Sequence, residues 1–117
     1  MSPQDLFFIN GSIRNFKIAL FQLVSDFGPN YEANFIITYD EIKNATGRSR
    51  LATVVLEEYV GYLSNHGFSV NSDGSSTLYL STSAGRVVLS GNESVELATS
   101  IRTFRTRAAM NGHVDDM

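Results

Sequence analysis

Ile37-Thr38-Tyr39-Asp40-Glu41-Ile42-Lys43-Asn44-Ala45-Thr46-Gly47-Arg48-Ser49-Arg50 is the stretch on which the reading of the whole chain turns. Thr38 and Glu41 form a capping box: the threonine oxygen accepts from the backbone N–H three residues on, and the glutamate reaches back to the threonine N–H. Asp40 and Glu41 also suit the positive end of a helix. The spacing predicts a strand-like run at Phe35-Ile36-Ile37, a helix from Tyr39 to Thr46, and a stop at Gly47. Ser49 is then expected to cap a helix from Arg50 to about His66, where Leu51, Val55, Tyr59 and Leu63 recur every four residues and Leu56 and Val60 widen the stripe.

Working outward, Gly67 closes that helix, and Phe68-Ser69-Val70 and Thr77-Leu78-Tyr79-Leu80 alternate as hairpin strands around the polar tip Asn71 to Ser76. A turn at Ser83-Ala84-Gly85 leaves Val87, Val88 and Leu89 as a further strand, extending the hairpin to three strands. Toward the N-terminus, residues 1–10 read as a short arm whose Leu6, Phe7, Phe8 and Ile9 pack on the body or on a second copy. A first helix over 11–28, capped by Ser12, carries Ile13, Phe16, Leu20, Leu23, Val24 and Phe27 on one face and stops at Gly28-Pro29. Ser90 with Glu93, or Asn92 alone, caps a last helix over 92–111 in which Leu97, Ile101, Phe104 and Ala108 share a face. A flexible tail over 112–117 is expected.

The quoted stretch resembles the first helix and turn of the winged helix-turn-helix superfamily, and its continuation agrees: the Leu63-x-x-x-Gly67 step turns into a hairpin at Phe68. The resemblance covers about forty residues, 35–82 with the hairpin. It implies an α+β fold with an N-terminal helix, a three-helix core including one buried Ile and one buried Ala on the capped helix, a β-hairpin wing and a C-terminal helix. It also implies binding of double-stranded DNA, as a transcription regulator or a replication or partition accessory factor of the compact phage or plasmid type. One departure stands out: counted back from Gly67, the third helix is about one turn longer than the common form.

Length and composition fit one domain over 1–117, with 43% hydrophobic and 18% charged residues. The absence of cysteine excludes disulfides and thiolate metal sites. The early apolar run Phe16 to Val24, interrupted by Lys17 and Gln22, fits neither a signal peptide nor a membrane span, so a cytoplasmic location without membrane contact is expected. A net charge of −3 is awkward for a DNA binder. Cations nevertheless cluster: three with no acid between Lys43 and Arg50, and three arginines with no acid between Ala98 and Gly112, while Asp115 and Asp116 lie in the tail.

In the superfamily the start of the third helix enters the major groove, which implies Arg48, Ser49, Arg50 and Thr53 as DNA contacts, with Lys43 touching the backbone. Glu57 and Glu58, and the cation-free hairpin tip with Asp73, oppose that reading and favour the alternative, a protein–protein adaptor or inhibitor. Ile101 and Phe104 are candidates for a homodimer seam, and Arg102, Arg105 and Arg107 for a basic surface beside it. His66 and His113 have no neighbouring nucleophile, base and orienter, and no phosphate loop or metal-ligand spacing occurs, so neither catalysis nor a cofactor is expected.

Overall fold

The computed structural model describes residues 1–111; the expected tail, with His113, Asp115 and Asp116, lies outside the described residues. Four helices and three strands follow in the order α1 (Pro3–Phe27), β1 (Ala33–Thr38), α2 (Tyr39–Thr46), α3 (Thr53–Asn65), β2 (Ser69–Ser72), β3 (Thr77–Thr82) and α4 (Gly91–Met110). The strands form one antiparallel sheet in the order β1-β3-β2. The α+β class expected from the pattern is therefore the class observed, and no described helix is long and apolar enough to cross a membrane.

The residues before Ser12 are not an arm. Ser2 caps α1 and Asp5 reaches back to it, with Pro3 in the first turn, so the helix runs unbroken through Gly11 and Ser12. It continues because Ile9 and Ile13, one turn apart, both bury into the main core with Ile37, Ile42, Tyr59, Leu63 and Leu78. The further strand expected at Val87 to Leu89 is absent. Its place on the sheet is taken by β1, which pairs along the whole of β3 from Ala33↔Thr82 to Thr38↔Thr77. Residues 83–90 instead form an irregular strap that buries Val87 and ties the Val88 N–H to the His66 carbonyl.

A second cluster joins Leu20, Phe21 and Val24 of α1 to Ala33, Val87 and Leu97, so α4 packs on the C-terminal half of α1. The two helices run parallel: Lys17 Nζ meets Glu93 Oε1 at 3.0 Å near one end, and Arg107 Nη1 meets Asp26 Oδ1 at 2.7 Å near the other. Phe16 and Phe35 stack with ring centroids 4.5 Å apart, linking α1 to β1. On α2, Ile42 is buried as expected but Ala45 is exposed, because this eight-residue helix turns only Tyr39 and Ile42 inward.

Two capping boxes read from the sequence are formed. Thr38 Oγ1 accepts from the Glu41 N–H at 3.1 Å while Glu41 Oε1 accepts from the Thr38 N–H at 2.9 Å, and Gly47 closes α2 in the left-handed conformation. Ser90 and Glu93 do the same for α4. Thr38→Ala is expected to lower the unfolding free energy by about 1 kcal/mol, the usual value of such a cap. Urea denaturation would register this as a lower midpoint at unchanged slope.

Candidate functional site

Only Thr53, of the residues expected to begin the reading helix, belongs to α3. The helix starts three residues later than the periodicity suggests, its N-cap is Ala52, and no side chain caps it. Ser49 is therefore not a cap, and Arg48, Ser49 and Arg50 lie in the connection between α2 and α3. The cause is in the packing. Leu51 and Ala52 are half-buried against the main core, and Arg48 is drawn to the first turn of α1, so the chain crosses between helices instead of coiling.

Arg48 is held by Asp5, a fully buried carboxylate. Arg48 Nε donates to Asp5 Oδ1 at 3.2 Å and Nη2 to Oδ2 at 2.6 Å, a two-pronged geometry that only arginine provides. Tyr59 on α3 donates its hydroxyl to Oδ1 at 2.8 Å, and the Ser2 N–H and hydroxyl both donate to Oδ2 at 2.8 Å. The Arg48 guanidinium, with the Ser2 and Tyr59 donors, holds the Asp5 carboxyl well below the usual carboxylate range against the opposing effect of burial. Burial, and then the bond to Asp5, push the Tyr59 phenol above its ordinary value. The cluster staples α1, the α2–α3 connection and α3 together. An arginine so engaged is not free to read a base edge.

The remaining candidates are dispersed. Lys43 pairs with Asp40 on its own helix at 3.2 Å. Ser49 and Arg50 are exposed, and Arg50 has no acidic partner among the described residues. Ile101 packs against the second cluster, and the Phe104 ring lies over Gly28, 3.0 Å from where a Cβ would stand. Arg107 pairs with Asp26, whereas Arg102 and Arg105 are exposed on α4.

The side of α3 turned away from the core carries Thr53, Val54, Glu57, Glu58 and Gly61, all exposed. Leu56 and Val60, half-buried, border an open groove between α3 and the β2–β3 hairpin, completed by Tyr39, Ser72, Gly74 and Leu78. At the hairpin tip the Asp73 carboxylate accepts from the N–H groups of Ser75, Ser76 and Thr77 and from the Ser76 hydroxyl, which hold it well below its ordinary value and keep it ionised. The turn is thus built on a negative charge. Sequence reading singled out Glu57, Glu58 and Asp73 but missed Asp5, whose only local signal was the Ser2-x-x-Asp5 box.

The chain matches no protein-family model, no curated protein and no solved structure.

Proposed function

We infer that the chain is a winged-helix module that binds protein through the outer face of α3 and the adjoining hairpin, and that it does not work by gripping DNA. The winged-helix reading is supported by the β1-β3-β2 order with α2 and α3 inserted between β1 and β2. The observation that carries the choice of ligand is the outward face of α3: Glu57 without an ion-pair partner among the described residues, Glu58 met only by the Met1 ammonium at 3.4 Å, an exposed valine and no lysine or arginine anywhere on the helix. DNA affinity comes largely from cations that neutralise phosphate, and a helix with that face would bring carboxylates toward the backbone. Lys43 and Arg48, which the DNA reading needs, are engaged by Asp40 and Asp5.

A second reading, sequence-specific DNA binding by a regulator or a replication accessory factor, is favoured by Arg50 and Ser49, which stand exposed just before α3. Titration of labelled random duplex DNA, followed by fluorescence anisotropy at low and moderate salt, separates the two. The expected result is no salt-sensitive binding in the roughly micromolar range that non-specific contact gives. Binding in that range, lost in Arg50→Glu, would return the function to DNA. Arg50 is the informative position because reversing Arg48 would break the buried pair and unfold the domain.

A further inference from the structure

Gly61 has no structural reason to be glycine. It lies inside α3 and is exposed, its backbone is not in the positive-φ region, and a Cβ built there would meet nothing within 4 Å. A glycine in a helix interior costs about 1 kcal/mol relative to alanine, and a glycine beside open space gives room for the close approach of another backbone. Gly61 borders the groove between α3 and the hairpin, whose lining is apolar at Leu56, Val60 and Leu78.

The charge that the groove's own lining carries is negative. Glu57 lines it, and Asp73 stands between the lining residues Ser72 and Gly74; neither is in an ion pair with any described residue, and no lining residue is a cation. An occupant must therefore offer apolar side chains to the lining and positive charge to the rim. On α3, Thr53-Glu57-Gly61 and Leu56-Val60 form parallel rows at a spacing of four, the ridges between which a second helix nests. From Thr53 to Gly61 the groove wall is about 12 Å long, room for two turns or so.

We propose that the groove between α3 and the β2–β3 hairpin docks a basic amphipathic helix of a partner protein, whose backbone comes closest at Gly61 and whose cations face Glu57 and Asp73. The assignment rests on the protein-binding reading of α3 and names the partner's chemistry. It is tested on the full chain with two fluorescein-labelled amphipathic peptides, one of leucine and lysine and one of leucine and glutamate, read by anisotropy. The leucine–lysine peptide binds and its counterpart does not. Gly61→Arg, which fills the groove with bulk and positive charge, and Glu57→Lys, which reverses its rim, each weaken binding by roughly tenfold or more. Both positions are exposed, so thermal unfolding of the variants should match that of the parent or exceed it.

Equal binding of the two peptides, binding unchanged in both variants, or no binding of the leucine–lysine peptide would overturn the assignment. These outcomes differ from failure of the underlying reading, which would appear as salt-sensitive binding of duplex DNA lost in Arg50→Glu.

Discussion

Asp5→Ala is expected to lower the unfolding free energy by about 2–4 kcal/mol, the combined cost of a lost helix cap and of a buried hydroxyl left without its acceptor. Against a usual total of about 5–15 kcal/mol, this is a large fraction of what holds such a domain together. Three losses coincide: the acceptor of Arg48, the acceptor of the buried Tyr59 hydroxyl, and the capping box that starts α1. Arg48 is partly exposed and regains water when released, but Tyr59 is fully buried and its hydroxyl is left without an acceptor. Differential scanning calorimetry should show the melting temperature lower by roughly 10–20 °C. A change within about 2 °C would mean that the cluster contributes no net stability.

The same cluster sets a pH dependence whose sign follows from linkage. Asp5 is depressed in the folded chain, so its contribution is fully present above the unfolded carboxylate value near 4 and is lost as the pH falls toward the folded value. Tyr59 is raised, so its contribution is present below the unfolded phenol value near 10 and is lost as the pH rises above it. The stability gap between parent and Asp5→Ala should therefore narrow between about pH 4 and pH 2. An equal gap at both ends of that interval would exclude Asp5 as the acid-sensitive group.

That cluster also explains which parts of the molecule were legible in the sequence. The boxes at Thr38/Glu41 and Ser90/Glu93, the stops at Gly28, Gly47 and Gly67, and the hairpin strands all have signals within four residues, and all are found in place. The start of α1 is hidden in the sequence because Gly11-Ser12 imitates a helix start as well as the Ser2–Asp5 box does. What carries the helix across Gly11 is the burial of Ile9 and Ile13 on either side. Arg48 was misread for a different reason. Its partner is 43 residues away, and a long-range pair leaves no periodicity. An arginine at a helix-turn-helix junction looks the same in sequence whether it faces a phosphate or a buried carboxylate. The acidic outer face of α3 was legible in part, because Glu57 falls opposite the Val55, Tyr59, Leu63 stripe by helical geometry alone, with Glu58 on its flank.

Gly67→Ala is expected to destabilise by about 2–4 kcal/mol, since a positive φ and an occupied space both act against the methyl group. Gly67 has φ 91°, and a Cβ there would stand 2.1 Å from the Arg86 carbonyl oxygen and 2.8 Å from Val87 Cα. These are backbone atoms of the strap that joins β3 to α4, and they cannot swing aside as a side chain would. Thr82 Oγ1 donates to the Gly67 carbonyl at 2.8 Å, and the neighbouring His66 carbonyl accepts from the Val88 N–H, so the strap is pinned on both sides of the glycine. Displacing it would pull Val87 from the second cluster and loosen α4 from α1. Hydrogen exchange of α4 amides should accelerate in Gly67→Ala more than that of α2. Gly61→Ala provides the contrast: with no contact to disturb and helix propensity to gain, it should raise stability by about 1 kcal/mol. If Gly61→Ala instead destabilised the chain, Gly61 would have a role within the fold and would not mark the place where a partner helix comes close.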